Sequence, residues 1–310
     1  MRAFGADDRK APRTPAAWMI LLVSLLQNKS TPTAWMIPPH LVPDPSPVLG
    51  VGHLSRALLD HFCLAAKVFV SRAQGPDKMP ASTRQTRSLQ PPATGKINVA
   101  FLISQGADVM DIAGPWEVFS DAMLTTKGEP WHESNGDDMV MPFNVYTVSD
   151  SVKPVNANGL TIVPNYSFGN APKPRIIVIP AQGGRNAAQR AWLLTNSAAA
   201  DVTMSVCTGA SMLAAYGLLD GQTATTHHAF QQSMQKEYPA VRFVSGTRFV
   251  ENGKIATAGG LTSGMDLALH IVARYYGDEV AQVTAGILEY HSELWKNPEY
   301  DRVAPVAGSK

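Results

Sequence analysis

One cysteine lies where a predicted strand passes into a predicted helix. Cys207 follows the apolar run Val202–Val206, and the helical stretch begins near Ser211. A tight turn would lift its sulfur above the sheet edge, and Gly209 would allow the close backbone approach that such a turn needs. The positive end of the helix would lower the pKa of the thiol from about 8.5 and favour the thiolate nucleophile. The other interpretation, an inert buried cysteine, is left open by the local pattern.

Short apolar runs alternate with helical stretches between residues 96 and 296, and this alternation predicts a single α/β domain. Its mostly parallel sheet would be sandwiched by helices, with right-handed crossovers between the strands. The predicted strands are Ile97–Ile103, Phe143–Val148, Arg175–Ile179 and Val202–Val206. The predicted helices are Arg185–Thr195, Ser211–Tyr216, Ala229–Tyr238, Ser263–Tyr276 and Asp278–Trp295.

Local turn signals predict two further features of this domain. Gly114-Pro115 indicates the start of a helix, because proline is tolerated in a first helical turn. Asn252-Gly253 indicates a type I′ hairpin between strands at Phe249–Glu251 and Lys254–Ala258. Ligands of open parallel sheets bind where strands end, so the segments after the first and fourth predicted strands are the places to search for chemistry.

The charge of the chain divides unevenly along its length. The 310 residues carry a formal net charge of +1, but residues 1–95 hold eleven basic and five acidic residues, whereas residues 96–310 hold fifteen basic and twenty acidic residues. An apolar fraction of 45% excludes a wholly disordered chain. Two cysteines, Cys63 and Cys207, exclude a disulfide framework and a four-cysteine zinc site.

Residues 1–95 form a low-complexity extension that contains twelve of the 23 prolines. Its apolar run Ala16–Leu26 follows three basic residues and is too short to cross a bilayer, but it fits the core of a signal peptide. The lack of glutamate resembles an organellar transit peptide, and a start codon assigned too far upstream is a third interpretation. We expect a cytoplasmic protein with no stable membrane span, and targeting through this extension is the alternative. Cys63 is expected to be inert, and residues 297–310 are expected to be a tail.

Two motifs carry a resemblance to a known family. Val-Cys-Thr-Gly-Ala-Ser around Cys207, followed by Gly217–Gly221 and Ala224–His227, resembles the cysteine elbow of the DJ-1/PfpI superfamily. The stretch GADVMDIAGPWEVF at residues 106–119 resembles the first strand exit of the branch that includes isonitrile hydratase. The resemblance covers residues 97 to about 294. It implies a flavodoxin-like fold, a small-molecule substrate and a homodimer.

The resemblance also implies partners for the cysteine. It places an acidic side chain from the first strand exit beside Cys207, and Asp111 matches that position, with Asp108 as its competitor. A carboxyl beside a thiolate should have a raised pKa, because two adjacent anions are costly, and it would then serve as a general acid. Asp111 could also cap the helix at Gly114. Thr208 replaces the histidine of other branches; its side chain is expected in the site, and its N–H is a candidate oxyanion donor.

Three more residues are placed near the cysteine by the resemblance. Gly183 and Gly184 match the glycine-rich turn that faces the cysteine, where backbone N–H groups would complete an oxyanion hole, although a plain loop is the alternative. His227 matches a histidine that lies near the thiol, or is a structural residue at a strand end. His228 would point away from it in an extended segment. The histidine spacing fits no metal motif, and no cofactor motif is present, so we expect neither a metal nor a cofactor.

These residues support three functions. In a hydratase of the isonitrile hydratase type, Cys207 attacks the isonitrile carbon, Asp111 supplies a proton, and water releases an N-substituted formamide. In a glyoxalase or deglycase, Cys207 forms a hemithioacetal, and His227 and Asp111 transfer protons. In a sensor, Cys207 is oxidised reversibly. Asp111 and Thr208 favour the hydratase, because DJ-1-like enzymes more often carry glutamate at the acidic position.

A fourth function, that of an AraC-type regulator, is disfavoured by the sequence. The amino-terminal domains of some such regulators belong to the same branch. The chain ends about fifteen residues past the resemblance, which would leave no room for a helix-turn-helix domain. The acidic globular part also lacks the basic face that DNA contact requires, so we expect no nucleic-acid partner.

Overall fold

Strands rich in isoleucine and valine form the centre of the computed structural model, which describes residues 88–298. The strands are β1 (Ile97–Leu102), β2 (Phe143–Ser149), β3 (Val155–Ala157), β4 (Leu160–Ile162), β5 (Tyr166–Ser167), β6 (Ile176–Ile179), β7 (Val202–Ser205), β8 (Thr223–Ala224), β9 (Arg242–Phe243), β10 (Phe249–Asn252) and β11 (Ile255–Ala258). The α-helices are α1 (Val109–Ser120), α2 (Ala187–Ala199), α3 (Ala210–Ala215), α4 (Gln231–Glu237), α5 (Ser263–Tyr276) and α6 (Asp278–Ile287). Shorter 3₁₀ turns lie at Glu133–Asn135, Cys207–Gly209 and His228–Phe230.

The main sheet has seven strands in the order β10-β11-β7-β6-β1-β2-β5. Every neighbouring pair is parallel except β10 and β11. The five central strands, taken as β2-β1-β6-β7-β11, have the flavodoxin-like order, in which β2 is added on one side of β1 and the later strands β6, β7 and β11 on the other side. The predicted α/β fold, with its flavodoxin-like parallel sheet sandwiched by helices, is confirmed.

Buried side chains cover both faces of this sheet. On one face Phe101 and Phe119 pack with Ile271 of α5, and on the other face Ile177 packs with Leu213. Strands buried on both faces read as continuous apolar runs, and for this reason they were recognisable in the sequence. All four predicted strands are confirmed to within one or two residues at their ends.

Helix α1 begins earlier than the sequence indicates. The Asp108 side chain caps it, because Oδ1 accepts hydrogen bonds from the N–H groups of Met110 (3.0 Å) and Asp111 (3.4 Å). Pro115 therefore lies inside the helix, and both the predicted start at Gly114-Pro115 and the cap role of Asp111 are wrong. Pro115 packs closely on Gly264 of α5, and this tertiary packing outweighs the local preference of proline for a first turn.

Two other predicted boundaries need correction. The hairpin between β10 and β11 turns at Gly253-Lys254, and only Gly253 has a positive φ, so the turn is not type I′. Helix α6 ends at Ile287 rather than at Trp295, because Glu289 adopts a left-handed φ of 50° and redirects the chain. Helix α4 is preceded by a 3₁₀ turn and ends at Glu237.

The predictions for the apolar run Ala16–Leu26, for Cys63 and for most of the tail fall outside the described residues. Within residues 88–298, no helix combines the length and the apolar character needed to cross a membrane.

Gly209 tests the close packing behind the cysteine turn. A Cβ at this position would lie 2.3 Å from the carbonyl oxygen of Ile179 and 2.8 Å from that of Pro180, and backbone carbonyls cannot rotate away. We expect Gly209→Ala to lower the free energy of unfolding by about 3 kcal/mol, measured by urea denaturation. The control is Gly286→Ala, where a Cβ meets nothing within 4 Å. It should raise the free energy by up to about 1 kcal/mol. Equal effects of the two substitutions would contradict this account.

Candidate functional site

Cys207 lies in a strained turn directly after β7. Its φ is 58°, a left-handed conformation that costs a residue with a side chain about 1–3 kcal/mol. Hydrogen bonds hold both backbone groups of Cys207: its N–H donates to the Gly259 carbonyl at 2.7 Å, and the Thr226 hydroxyl donates to its carbonyl at 2.9 Å. The structure thus contains the strand–turn–helix that the sequence predicts, with the cysteine at its corner.

Asp111 lies in the first turn of α1, and its side chain is completely buried. Its Oδ2 accepts a hydrogen bond from the Ala181 N–H at 2.9 Å, whereas Oδ1 has no hydrogen-bond partner among the described residues. Burial, reinforced by the negative charge of Asp108, raises the pKa of Asp111 to about 7, although the N–H groups of Ala181 and Leu261 favour the anion. The raised pKa agrees in direction with the sequence expectation, but burial is its main cause.

The Cys207 thiol holds its proton more tightly than the sequence suggests. Burial and then the nearby charge of Asp111 raise its pKa to about 11, against the opposing influence of the Thr208 and Leu261 N–H groups. The prediction of a lowered pKa is therefore wrong. Helix α3 has only six residues, and its partial charge does not offset the burial of the sulfur beside a carboxyl. In this pair Asp111 loses its proton first.

A backbone N–H group that the sequence reasoning missed faces both acids. The Leu261 N–H favours the anions of Asp111 and of Cys207 alike. Leu261 has a φ of 48° and follows Gly259-Gly260 at the exit of β11. The sequence signal that could have indicated this N–H is the glycine pair directly after the buried strand β11. Such pairs permit a tight turn, and a tight turn can leave a backbone amide exposed. The exits of β1, β7 and β11 thus meet around one thiol.

The glycine turn after β6 does not have the oxyanion-hole role that the sequence predicts for Gly183. The Gly183 N–H donates to the Gln105 carbonyl at 3.0 Å, so the structure does not leave it free as an oxyanion donor. This corrects the prediction for Gly183, since its amide ties the β6 exit to the β1 exit. Gly184 is exposed with a φ of 74°, and its role stays a prediction. The amide from this segment that does reach the pair belongs to Ala181.

His227 and His228 lie side by side rather than on opposite faces. Their rings stack with centroids 4.4 Å apart, because the chain enters a 3₁₀ turn at His228. The prediction that His228 points away is therefore wrong. His227 Nδ1 accepts a hydrogen bond from the Ala229 N–H at 3.2 Å, and the ring edge packs against Gly260. Within the described range, no hydrogen bond joins His227 to Cys207.

Thr208 presents its backbone to the sulfur, since its N–H favours the Cys207 thiolate. The side chain is half-buried and makes no hydrogen bond with any described residue, so its hydroxyl remains available to a bound molecule. Across residues 88–298, no cluster of three or more histidine, cysteine, aspartate or glutamate side chains is arranged to hold a metal ion.

Comparison with known proteins gives a family match, similar proteins of known sequence and similar solved structures. The model of the DJ-1/PfpI family matches residues 97–274. Isonitrile hydratase from Pseudomonas putida is 27% identical over 200 residues, which cover 63% of this chain and 78% of that protein. The HTH-type transcriptional regulator GbdR from Pseudomonas aeruginosa is 28% identical over 138 residues, which cover 43% of this chain and only 37% of the regulator. A crystal structure of a THiJ/PfpI family protein from Pseudomonas syringae superposes with a TM-score of 0.54 at 25% identity, covering 76% of this chain and 88% of that one.

Asp108 tests the electrostatic coupling within the site. Its charge raises the pKa of both Asp111 and Cys207, while its Oδ1 caps α1 and its Oδ2 accepts from Asn158 Nδ2 at 3.2 Å. Asparagine caps helices about as well as aspartate, and Asn158 can turn its amide to pair with the new side chain. We expect Asp108→Asn to lower both pKa values, measured by NMR titration of Asp111 and by the pH dependence of Cys207 alkylation.

The control for this substitution is Asp108→Ala, which removes both the charge and the cap. It should give the same fall in both pKa values together with a loss of about 1 kcal/mol of stability. Unchanged pKa values in Asp108→Asn would show that its charge does not act on the site.

Proposed function

Because the chain belongs to the DJ-1/PfpI family, we propose that it is a cysteine-dependent hydratase that converts isonitriles into N-substituted formamides. The observation that carries the proposal is the buried pair of Asp111, with a pKa of about 7, and Cys207, with a neutral thiol. A proton carrier with a pKa near the working pH is the most effective general acid and base. The similarity to isonitrile hydratase supports the choice of substrate.

In the first step the ionised Asp111 takes the thiol proton while the Cys207 sulfur attacks the isonitrile carbon. A carbon–sulfur bond forms, and the protonated Asp111 then delivers its proton to the same carbon. The result is a thioimidate, in which the former isonitrile carbon carries one hydrogen and is bonded to sulfur. The Thr208 and Leu261 N–H groups stabilise the negative charge on sulfur as the proton leaves.

In the second step water adds to the thioimidate carbon, with Asp111 as the base that accepts a proton from the water. Asp111 passes this proton to the imine nitrogen, the remaining hydroxyl proton moves through Asp111 to the sulfur as the carbon–sulfur bond breaks, and the formamide leaves. The net reaction is one isonitrile and one water giving one N-substituted formamide. Because Asp111 regains its starting charge, the cycle consumes no oxidant or reductant.

The same geometry gives less support to the glyoxalase and to the redox sensor. A glyoxalase needs His227 to exchange protons at the cysteine, but among the described residues the ring bonds the Ala229 N–H and makes no hydrogen bond with Cys207. A redox sensor needs a reactive thiolate, whereas burial keeps the Cys207 thiol protonated at neutral pH.

Ligand binding without turnover is the second candidate function. The similarity to the regulator GbdR favours it, although the match covers little more than a third of that protein. In this function the domain would bind a small molecule beside a neutral Cys207, and any DNA contact would come from a separate segment or partner chain. The homodimer expected from the family resemblance is compatible with both candidates.

A turnover assay with an alkyl isonitrile tests the proposal on the full chain. Wild type should form the formamide, Cys207→Ala should form none, and Asp111→Asn should lose about 10²–10⁴-fold in kcat/KM, because general acid–base catalysis contributes that much. The kcat/KM of wild type should rise with pH through about 7, since Asp111 must be ionised to accept the thiol proton. Asp121→Asn, at the other end of α1, is the control and should keep wild-type activity.

Three results would count against the hydratase. Lactate formation from methylglyoxal without isonitrile turnover would favour the glyoxalase. Tight binding of an isonitrile that is never hydrated would favour ligand binding without turnover. Full activity in Asp111→Asn would remove the proposed proton carrier.

A further inference from the structure

A cavity of about 230 Å³ lies beside residues that hold the Cys207 turn, at the carboxyl edge of the sheet. Its walls come from three segments: residues 225–231, 245–248 and 259–263. Three of its lining residues also contact the cysteine, since Thr226 and Gly259 bond its backbone and the Leu261 N–H faces its sulfur. Cys207 itself is not one of the wall residues, but these three shared neighbours place the cavity next to the cysteine turn.

The described walls of this cavity offer hydrogen-bond donors and contain no aspartate or glutamate. Arg248 is held rigidly: its Nε pairs with Asp266 Oδ2 at 2.6 Å, and its Nη2 donates to the Thr262 hydroxyl at 3.0 Å. Asp266 is completely buried and also accepts hydrogen bonds from Ser292 and Tyr290, so it fixes the guanidinium from behind. Nη1 of Arg248 has no partner among the described residues.

His227 provides a second donor in the same cavity. Its Nδ1 accepts the Ala229 N–H, so in the neutral ring the proton lies on Nε2. Burial lowers the pKa of His227, and its neighbour His228 lowers it further, so the ring is neutral near pH 7. A guanidinium N–H and an imidazole N–H thus border one space that has no competing negative side chain among its described walls.

We propose that this cavity binds a carboxylate on the substrate, so that the preferred substrates are isonitriles whose substituent bears a carboxylate. This inference rests on the proposed hydratase activity and specifies its substrate class. Arg248 Nη1 donates to one carboxylate oxygen, and His227 Nε2 donates to the other. Charge-assisted hydrogen bonds of this kind favour the acid over a neutral analogue by about tenfold to a hundredfold.

Isocyanoacetate and isocyanoacetamide test the inference, because they have nearly the same shape and differ in charge. With the full-length wild type, kcat/KM should be at least about tenfold higher for the acid. Arg248→Lys keeps a cation for Asp266 but removes Nη1, so the preference should fall towards unity while the amide is still hydrated. The matched control is Arg175→Lys. Arg175 pairs with Asp201 at 2.6 Å in the same way, but it precedes β6 at the opposite edge of the sheet, so the preference should stay at its wild-type value.

A second variant guards against misfolding of Arg248→Lys. The double variant Arg248→Gln, Asp266→Asn removes the ion pair without leaving a buried charge unpaired, and circular dichroism checks its fold. It too should lose the preference for the acid. Hydration of both compounds at equal kcat/KM by wild type, or an unchanged preference in the variants, would overturn the carboxylate site.

Alkylation of Cys207 separates this inference from the hydratase itself. Iodoacetate and iodoacetamide, like the two isonitriles, have nearly the same shape and differ in charge. The reaction is run in a mildly alkaline buffer, and the modified Cys207 peptide is quantified by mass spectrometry. Arg248→Lys should lower the iodoacetate to iodoacetamide rate ratio about tenfold relative to wild type, and Arg175→Lys should leave it unchanged. If no isonitrile is hydrated but this ratio falls, the carboxylate site stands and the hydratase fails. If the ratio is the same in all three proteins, the carboxylate site is wrong.

Discussion

Two weak acids share one buried space at the carboxyl edge of the sheet, and they cannot both lose their protons there. Asp111 is fully buried, and Cys207 is nearly so, so each ionisation is costly and the first makes the second costlier. The carboxyl has the lower pKa and ionises first. The pair therefore rests as a carboxylate beside a thiol, with one proton available to pass between them. Every chemical role considered for this protein depends on that order.

The fold brings the pair together from separate parts of the chain. Asp111 follows β1, Ala181 follows β6, Cys207 follows β7 and Leu261 follows β11. Parallel strands place these four exits on one edge, where two backbone amides hold the carboxyl and two face the thiol. The arrangement costs stability: the folded pKa of Asp111 lies above that of an unfolded chain. The stability that the protonated Asp111 contributes to the folded chain is therefore fully present below pH ~4, and it is lost as the pH rises through about 7.

Structural features that follow from the local pattern of side chains were predictable from the sequence. Features that depend on tertiary contacts were not. The buried strands and the cysteine turn follow from apolar runs and from one glycine, Gly209. The start of α1 was misplaced because a cap by Asp108 and packing on Gly264 outweigh the signal of Pro115. The pKa of Cys207 was predicted in the wrong direction, because burial is a property of the folded chain.

The order in which the two acids lose their protons is the central claim, and a paired titration measures it directly. The ultraviolet absorbance of the thiolate, taken as wild type minus Cys207→Ser to cancel Cys63, follows the thiol. The infrared band of the protonated carboxyl, taken as wild type minus Asp111→Asn, follows the acid. The account predicts that the carboxyl band disappears near pH 7 and that the thiolate appears only in strongly alkaline solution. A thiolate already present below pH 7, beside a carboxyl that is still protonated, would contradict it.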